Sequence, residues 1–244
     1  KNQMENFFYT YILIFALYMA ILLYGQFVAT SVATEKSTRA MELLITSTKP
    51  KNLMFGKVFG AGSAGLAQFV LIFGTCYLFY NLNASYFQDD WIVQSIFNMP
   101  LSILMYAILF LVLGFFLYAF LYGALASLVS RMEELSSAVM PVTFLFIIAF
   151  LVVVYSMNSG NVDSVLMKAC SFIPFTSPMS MFVRIAMGQV AGWEIALSVL
   201  ILVVSTIAIG FLAAGIYRMG VLIYGKAPTP VEMIKMLKNN RKRA

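Results

Sequence analysis

Residues 35–57 read EKSTRAMELLITSTKPKNLMFGK, a charged and helix-prone island. On either side lie runs without one charged residue, 6–34 and 58–88. Each exceeds the roughly 20 residues that a helix needs to cross about 30 Å of hydrocarbon. Three further uncharged runs follow, 91–130, 135–162 and 195–217. An island of this kind between two spans is a handle, by which a soluble protein can move the helices on both sides.

The whole chain agrees. It has 244 residues, is 61% hydrophobic and 11% charged, and has a mean hydropathy of +0.89. That composition excludes a soluble domain. The runs lack the alternation that a lipid-facing barrel requires, so the expected fold is an all-α polytopic membrane protein with five transmembrane helices. The expected spans are about 9–33, 58–80, 100–129, 138–155 and 193–218. The 40-residue run 91–130 has no turn cluster, with Pro100 suited to a first helical turn and Gly114 and Gly123 beyond it, and is read as one span. With five spans, all but three of the 16 lysines and arginines (Lys1, Lys168 and Arg184) fall on one side. That side is expected to be cytoplasmic. The C-terminus is then cytoplasmic and residue 1 external. The chain opens on Lys1 rather than Met, so one more span is expected upstream.

Within the island, Thr34 is expected to cap a coupling helix over about 35–48, with Glu35 and Arg39 paired at i, i+4. Met41, Leu44 and Ile45 share one face, and Lys36, Arg39 and Glu42 are expected to lie away from it. Pro50 is expected to end that helix, and a short turn over 52–57 to lead back into the bilayer. Gly56, Gly60, Gly62 and Gly65 give the second span a small-residue face for close helix packing. Arg131, Glu133 and Glu134 form a second, shorter turn on the cytoplasmic side. Ser136 or Ser137 is expected to cap the fourth span. Residues 158–190 contain an uncharged stretch too short to cross and broken by Pro174 and Pro178. Two short helices dipping in from outside and returning fit that pattern; Pro174, Pro178 and Arg184 are its candidate residues. After Gly225, the sequence TPVE at 229–232 reads as a capping box that opens a basic amphipathic helix over 227–244. It either lies on the inner leaflet or docks on a cytoplasmic partner.

The chemistry of the chain is sparse. There is no histidine, which removes Ser-His and Cys-His dyads and most zinc sites. All ten acids lie in loops or at span ends, and no GxxxxGK[ST] loop for ATP is present. Neither an enzyme nor an ion-driven carrier with intramembrane carboxylates fits this inventory. The candidate polar residues of a pathway are Gln26, Gln68 and Thr75. No cofactor or metal is expected on the chain, and no nucleic acid, since the net charge of +6 suits orientation and anionic lipid. Energy for any transport has to come from a separate subunit.

The stretch EKSTRAMELLITST at 35–48, followed by Gly56-Lys57, resembles the cytoplasmic loop of ABC type-2 exporter permeases. The likeness is nearest to their NatB-like sodium-extrusion group. FIPFTSPM at 172–179 with Arg184 resembles that group's external re-entrant segment. Gly192-Trp-Glu194 and YRMGVLIYGK at 217–226 resemble its last span and exit. The resemblance implies a six-span permease with a large external domain between its first two spans, of which this chain is the C-terminal portion. It implies pairing with a second permease, identical or related, and with two ATP-binding subunits that carry the ATP and Mg. Glu35, Lys36, Arg39, Met41, Glu42, Leu44 and Ile45 would then meet the ATP-binding subunit, with Arg131, Glu133 and Glu134 as a secondary contact. The implied function is export of sodium, or of an amphipathic drug, peptide or lipid, from a prokaryotic cell. A non-transporting membrane anchor that relays force to an external domain is the alternative.

Overall fold

The computed structural model describes residues 3–87, 90–97 and 99–225. The expected tail helix at 227–244 lies outside them. The described residues form helices α1 (Gln3–Ser37), α2 (Ala40–Ser47), α3 (Pro50–Leu82), α4 (Trp91–Phe97), α5 (Leu101–Leu128), α6 (Leu135–Asn158), α7 (Val165–Phe172), α8 (Ser177–Met187) and α9 (Gly192–Gly220). Short 3-10 turns stand at Ala84–Tyr86 and Met132–Glu134. Five helices, α1, α3, α5, α6 and α9, are long and apolar enough to cross a bilayer, as the charge-free runs require. The run 91–130 holds α4 as well as one span, because the chain breaks ahead of Pro100, whose fixed φ sits at the N-cap of α5 with extended ψ.

α1, α3, α6 and α9 run past the expected boundaries at both ends, whereas α5 keeps within its own. Thr34 does not cap a helix. It lies inside α1, and its carbonyl accepts from the Thr38 amide at 3.0 Å. The residues 52–57 are not a separate turn but the first turns of α3, which Pro50 starts rather than Pro50 ending α2. Ser136 and Ser137 do not cap α6. Glu134 stands at its N-cap in αR conformation, because a 3-10 turn feeds into the helix directly. Pro141 sits inside α6. Spans end where the backbone ladder ends, not where hydropathy ends, so they extend past their apolar cores.

The core is built around α5, which lies between α1 and α9. Ile21 and Val28 of α1 face Gly114 and Gly123 of α5, so the two helices run the same way. Phe120 and Ser127 of α5 face Gly210 and Gly220 of α9, which also runs parallel. Gly62 and Gly65 of α3 receive Phe115 and Tyr24, whereas Gly56 and Gly60 face open space. The small-residue face therefore works on two of its four glycines. Helices α7 and α8 form a hairpin wedged among α1, α5, α6 and α9. Its tip is deep. The Tyr118 hydroxyl donates to the Phe175 carbonyl at 2.6 Å, and Pro178 packs on Gly114. Gly114 lies about 20 Å along α5 from its start, at a rise of about 1.5 Å per residue. Ser177 and Ser198 share a hydrogen bond of 2.8 Å behind the tip.

Candidate functional site

The island is a short helix set on a joint. α1 continues through Lys36 to Ser37, and the chain then turns at Arg39, whose φ of 61° and ψ of 7° are left-handed. A non-glycine residue in that region is uncommon and carries strain of about 1 kcal/mol. Glu35 and Arg39 are thus not a helical i, i+4 pair. Glu35 instead pairs with Lys57 of α3, whose ammonium also donates to Ser31 Oγ at 2.7 Å. α2 lies down beyond the joint. Met41 is fully buried beneath Tyr217, whose hydroxyl points at its sulfur at 3.9 Å. Ile45 packs on the core and Leu44 is half-buried, while Ala40, Glu42, Leu43, Thr46 and Ser47 are exposed. The apolar face of Met41, Leu44 and Ile45 therefore seats α2 on its own bundle. The outward apolar residue is Leu43, 72% exposed, which the sequence reading did not single out.

Lys36 corrects the sequence reading most sharply. It was expected to lie away from the packed face, but it is fully buried. Its ammonium donates to the carbonyls of Ser127 and Gly220, both at 2.6 Å. Ser127 is in the last turn of α5 and Gly220 is the last residue of α9. Carbonyls there lack i+4 helical donors, although the Gly220 carbonyl also accepts from the Ile223 amide at 3.2 Å, and both helix dipoles present negative ends. The Tyr224 ring lies 5.6 Å from the ammonium. The Tyr224 phenol is pushed up by burial first and by the Glu42 charge second, with Arg39 opposing. The physical reason for the inward turn is spacing. Val28, Val32 and Lys36 recur every four residues on the buried stripe of α1. That periodicity was readable in the sequence, but a lysine beside a glutamate reads as solvent-facing.

The same end gathers the second turn. Arg131, Glu133 and Glu134 are exposed on or beside the 3-10 turn. Glu134 Oε2 accepts from the Ser130 amide at 3.4 Å. Ser130 Oγ joins Gly225, accepting from its amide and donating to its carbonyl, each at 3.0 Å. Thr34 Oγ1 lies 3.6 Å from the Met132 sulfur. α1, α2, α3, α5, α6 and α9 thus all meet at this linker end of the molecule.

The expected pathway residues do not converge. Gln26 lines a recess of about 280 Å³ against Val139, Thr143 and Phe144 of α6. Gln68 of α3 accepts from the Tyr24 hydroxyl on another side of α1. The two lie along a groove of about 470 Å³ between α1 and α3, whose other walls include Phe15, Met19, Phe69 and Phe73. Thr75 is exposed two turns further along α3. In the hairpin, Pro174 stands in the break between α7 and α8, and Pro178 is buried in the first turn of α8. Arg184 is fully buried, with Nε donating to Asp163 at 3.1 Å and Nη2 to Glu194 at 2.8 Å. Gly188 lets Asp163 come close, and the Gln189 amide donates to the same carboxylate at 3.0 Å. This ion cluster ties α8, α9 and the loop before α7 at the hairpin end. Among the described residues, no group of three or more His, Cys, Asp and Glu side chains could hold a metal ion.

Residues 1–214 match the ABC-2 family transporter protein model. The chain belongs to the ABC-2 transporter family. It is 35% identical over 219 residues to the uncharacterized protein YhaP of Bacillus subtilis, covering 89% of this chain and 52% of that protein. It is 30% identical over 224 residues to the uncharacterized protein MJ1024 of Methanocaldococcus jannaschii, covering 92% and 52%. This ABC-2 chain therefore spans about half the length of the curated relatives it matches. No solved structure matches it.

Proposed function

We propose that this chain is the membrane-spanning permease part of an ATP-driven exporter, and that α2 is where a separate ATP-binding subunit engages it. The observation that carries the reading is the exposed face of α2. Glu42 and Leu43 stand out from a helix whose other side is anchored in the bundle by Met41. An anchored helix with one apolar knob and adjacent charge suits docking in a groove of a partner. Arg39, Arg131, Glu133 and Glu134 border it as the rim. On this reading the linker end faces the cytoplasm, a second permease completes the assembly, and ATP and Mg reside on the partner subunits. Membership of the ABC-2 family supports the ATP-binding partner, and the basic residues gathered at the linker end support the orientation.

The NatB-like resemblance points to sodium as cargo. The spans point elsewhere, since their acids lie at the ends and the α1–α3 groove is lined by aromatic and aliphatic side chains with the Tyr24–Gln68 pair as its polar feature. A desolvated cation needs charge or a ring of oxygens, whereas an amphipathic molecule suits an apolar groove with one polar stop. We therefore favour an amphipathic substrate. The test is co-purification of the full transporter in lipid nanodiscs. Leu43→Asp and Glu42→Lys should each weaken capture of the ATP-binding subunit by about tenfold, roughly 1.4 kcal/mol, while membrane insertion stays normal. Undiminished capture by both variants would remove α2 from the interface. ATP-dependent uptake into inverted vesicles of radioactive sodium, against uptake of a fluorescent amphiphile, then separates the two cargoes. Uptake of neither would favour the non-transporting anchor.

A further inference from the structure

We infer that Lys36 is a positioning residue that passes movement of α2 to α5 and α9, so that these two helices answer to the linker as a pair. The inference rests on the coupling role proposed for α2 and adds the route by which a push there enters the bundle. α3 is joined to α2 directly through residues 48 and 49, and is tied to α1 by Lys57 and Glu35. α5 and α9 have no such chain connection to α2. What reaches both at once is the Lys36 ammonium, one turn before the joint at Arg39, held between one carbonyl from each helix. Met41, just past the joint, lands on Tyr217, less than one turn before Gly220. The two contacts flank the left-handed residue, so a rotation about Arg39 has to displace the end of α9.

Three features show that the clasp is built. Gly220 has no side chain where a Cβ would lie 2.2 Å from Ser127 Oγ and 2.8 Å from the Ser127 carbonyl oxygen, so glycine is what lets the two carbonyls share one ammonium. Ser127 Oγ faces Gly220 and donates back to the Ala124 carbonyl at 2.7 Å, while the Ser127 carbonyl accepts from Lys36. The site has no exposure to solvent at Lys36, and a buried ammonium that loses its acceptors is costly. α5 and α9 therefore separate at this end only if Lys36 leaves with one of them or goes to water.

The test uses the full transporter with its ATP-binding subunit in lipid nanodiscs. Cys76 and Cys170 are replaced by serine, and spin labels are placed at Leu82→Cys and Trp193→Cys, exposed positions at the far ends of α3 and α9. Mg-ATP with vanadate is expected to shift the distance between the labels. In Lys36→Met and in Gly220→Ala, capture of the ATP-binding subunit and ATP hydrolysis should stay within about twofold, while the shifted fraction falls about tenfold, a coupling loss of ordinary allosteric size. Lys36→Arg, which can still donate to both carbonyls, should recover part of it. Gly220→Ala attacks the clasp without touching α1, so it decides the matter if Lys36→Met fails to fold. A full shift in either variant, or a loss that follows loss of the ATP-binding subunit, overturns the inference. If the parent protein binds no ATP-binding subunit or shows no shift, the coupling role of α2 falls, and the clasp falls with it.

Discussion

Among the described residues, two buried cations stand at opposite ends of the bundle, and they are neutralised in different ways. Lys36 meets carbonyl dipoles, which suits a compact ammonium with several donors. Arg184 meets two carboxylates from different elements, and uses the fork of its guanidinium to reach both. A lysine has a single nitrogen and cannot hold Asp163 and Glu194 in that geometry. Arg184→Gln should therefore destabilise the protein by about 3 kcal/mol, toward the low end for breaking a buried pair, because both carboxylates keep some contact with solvent. Arg184→Lys should recover less than half of the loss. The measurement is the midpoint temperature for loss of the monodisperse peak after heating in detergent. An unchanged midpoint for Arg184→Gln would mean that the cluster contributes nothing to holding α8 and α9 together. Arg184 could be singled out in the sequence as the basic residue of the hairpin's second helix, as Lys168 is of its first. Its partners could not, because Asp163 and Glu194 lie 21 and 10 residues away, and only the fold brings them together.

At the scale of elements, the number and order of spans were legible because transfer of charge into hydrocarbon is so costly that long charge-free runs can hardly lie elsewhere. The ends of those spans were not legible. Capping signals such as Thr34, Ser136 and Ser137 mark helix starts in water, where a free amide can choose between a side chain and solvent. Near a bilayer the helix ladder itself satisfies the backbone, so α1 continues to Ser37 and α6 begins at Leu135. The hairpin was legible as two short helices around Pro174, but its depth depends on a glycine in a different helix. A Cβ at Gly114 would lie 2.9 Å from both Pro178 Cβ and Ile21 Cδ1. Pro178 is stiff and cannot swing aside as a flexible side chain would. Gly114→Val should thus lift the hairpin tip, weaken the Tyr118–Phe175 hydrogen bond and cost about 1–3 kcal/mol through overpacking. Hydrogen exchange read by mass spectrometry should show faster exchange over α7 and α8, with α3 unaffected. Equal exchange in both proteins would show that the tip tolerates the added volume.

At the scale of the whole molecule, polarity is the property on which the functional reading turns. The basic residues of the linker, of the turn at Arg131 and of Arg218 collect at one end, and the Arg184 cluster and the loop after α3 lie at the other. Interfacial lysines and arginines orient spans with their rich side toward the cytoplasm, and a linker that receives force from an ATP-binding subunit has to be on that same side. Both arguments assign Thr46 to the inside and Ser159, at the far end of α6, to the outside. Single cysteines at these positions, with Cys76 and Cys170 replaced by serine, should therefore label in opposite patterns. A membrane-impermeant maleimide added to intact cells that make this protein without its ATP-binding subunit should modify Ser159→Cys and spare Thr46→Cys, which is exposed in the structure and is then protected only by the membrane. Opening the cells should make Thr46→Cys reactive. The reverse pattern would place α2 where no cytoplasmic motor can touch it. Leu43, Glu42 and the Lys36 clasp would then be parts of a rigid scaffold and not of a transmission.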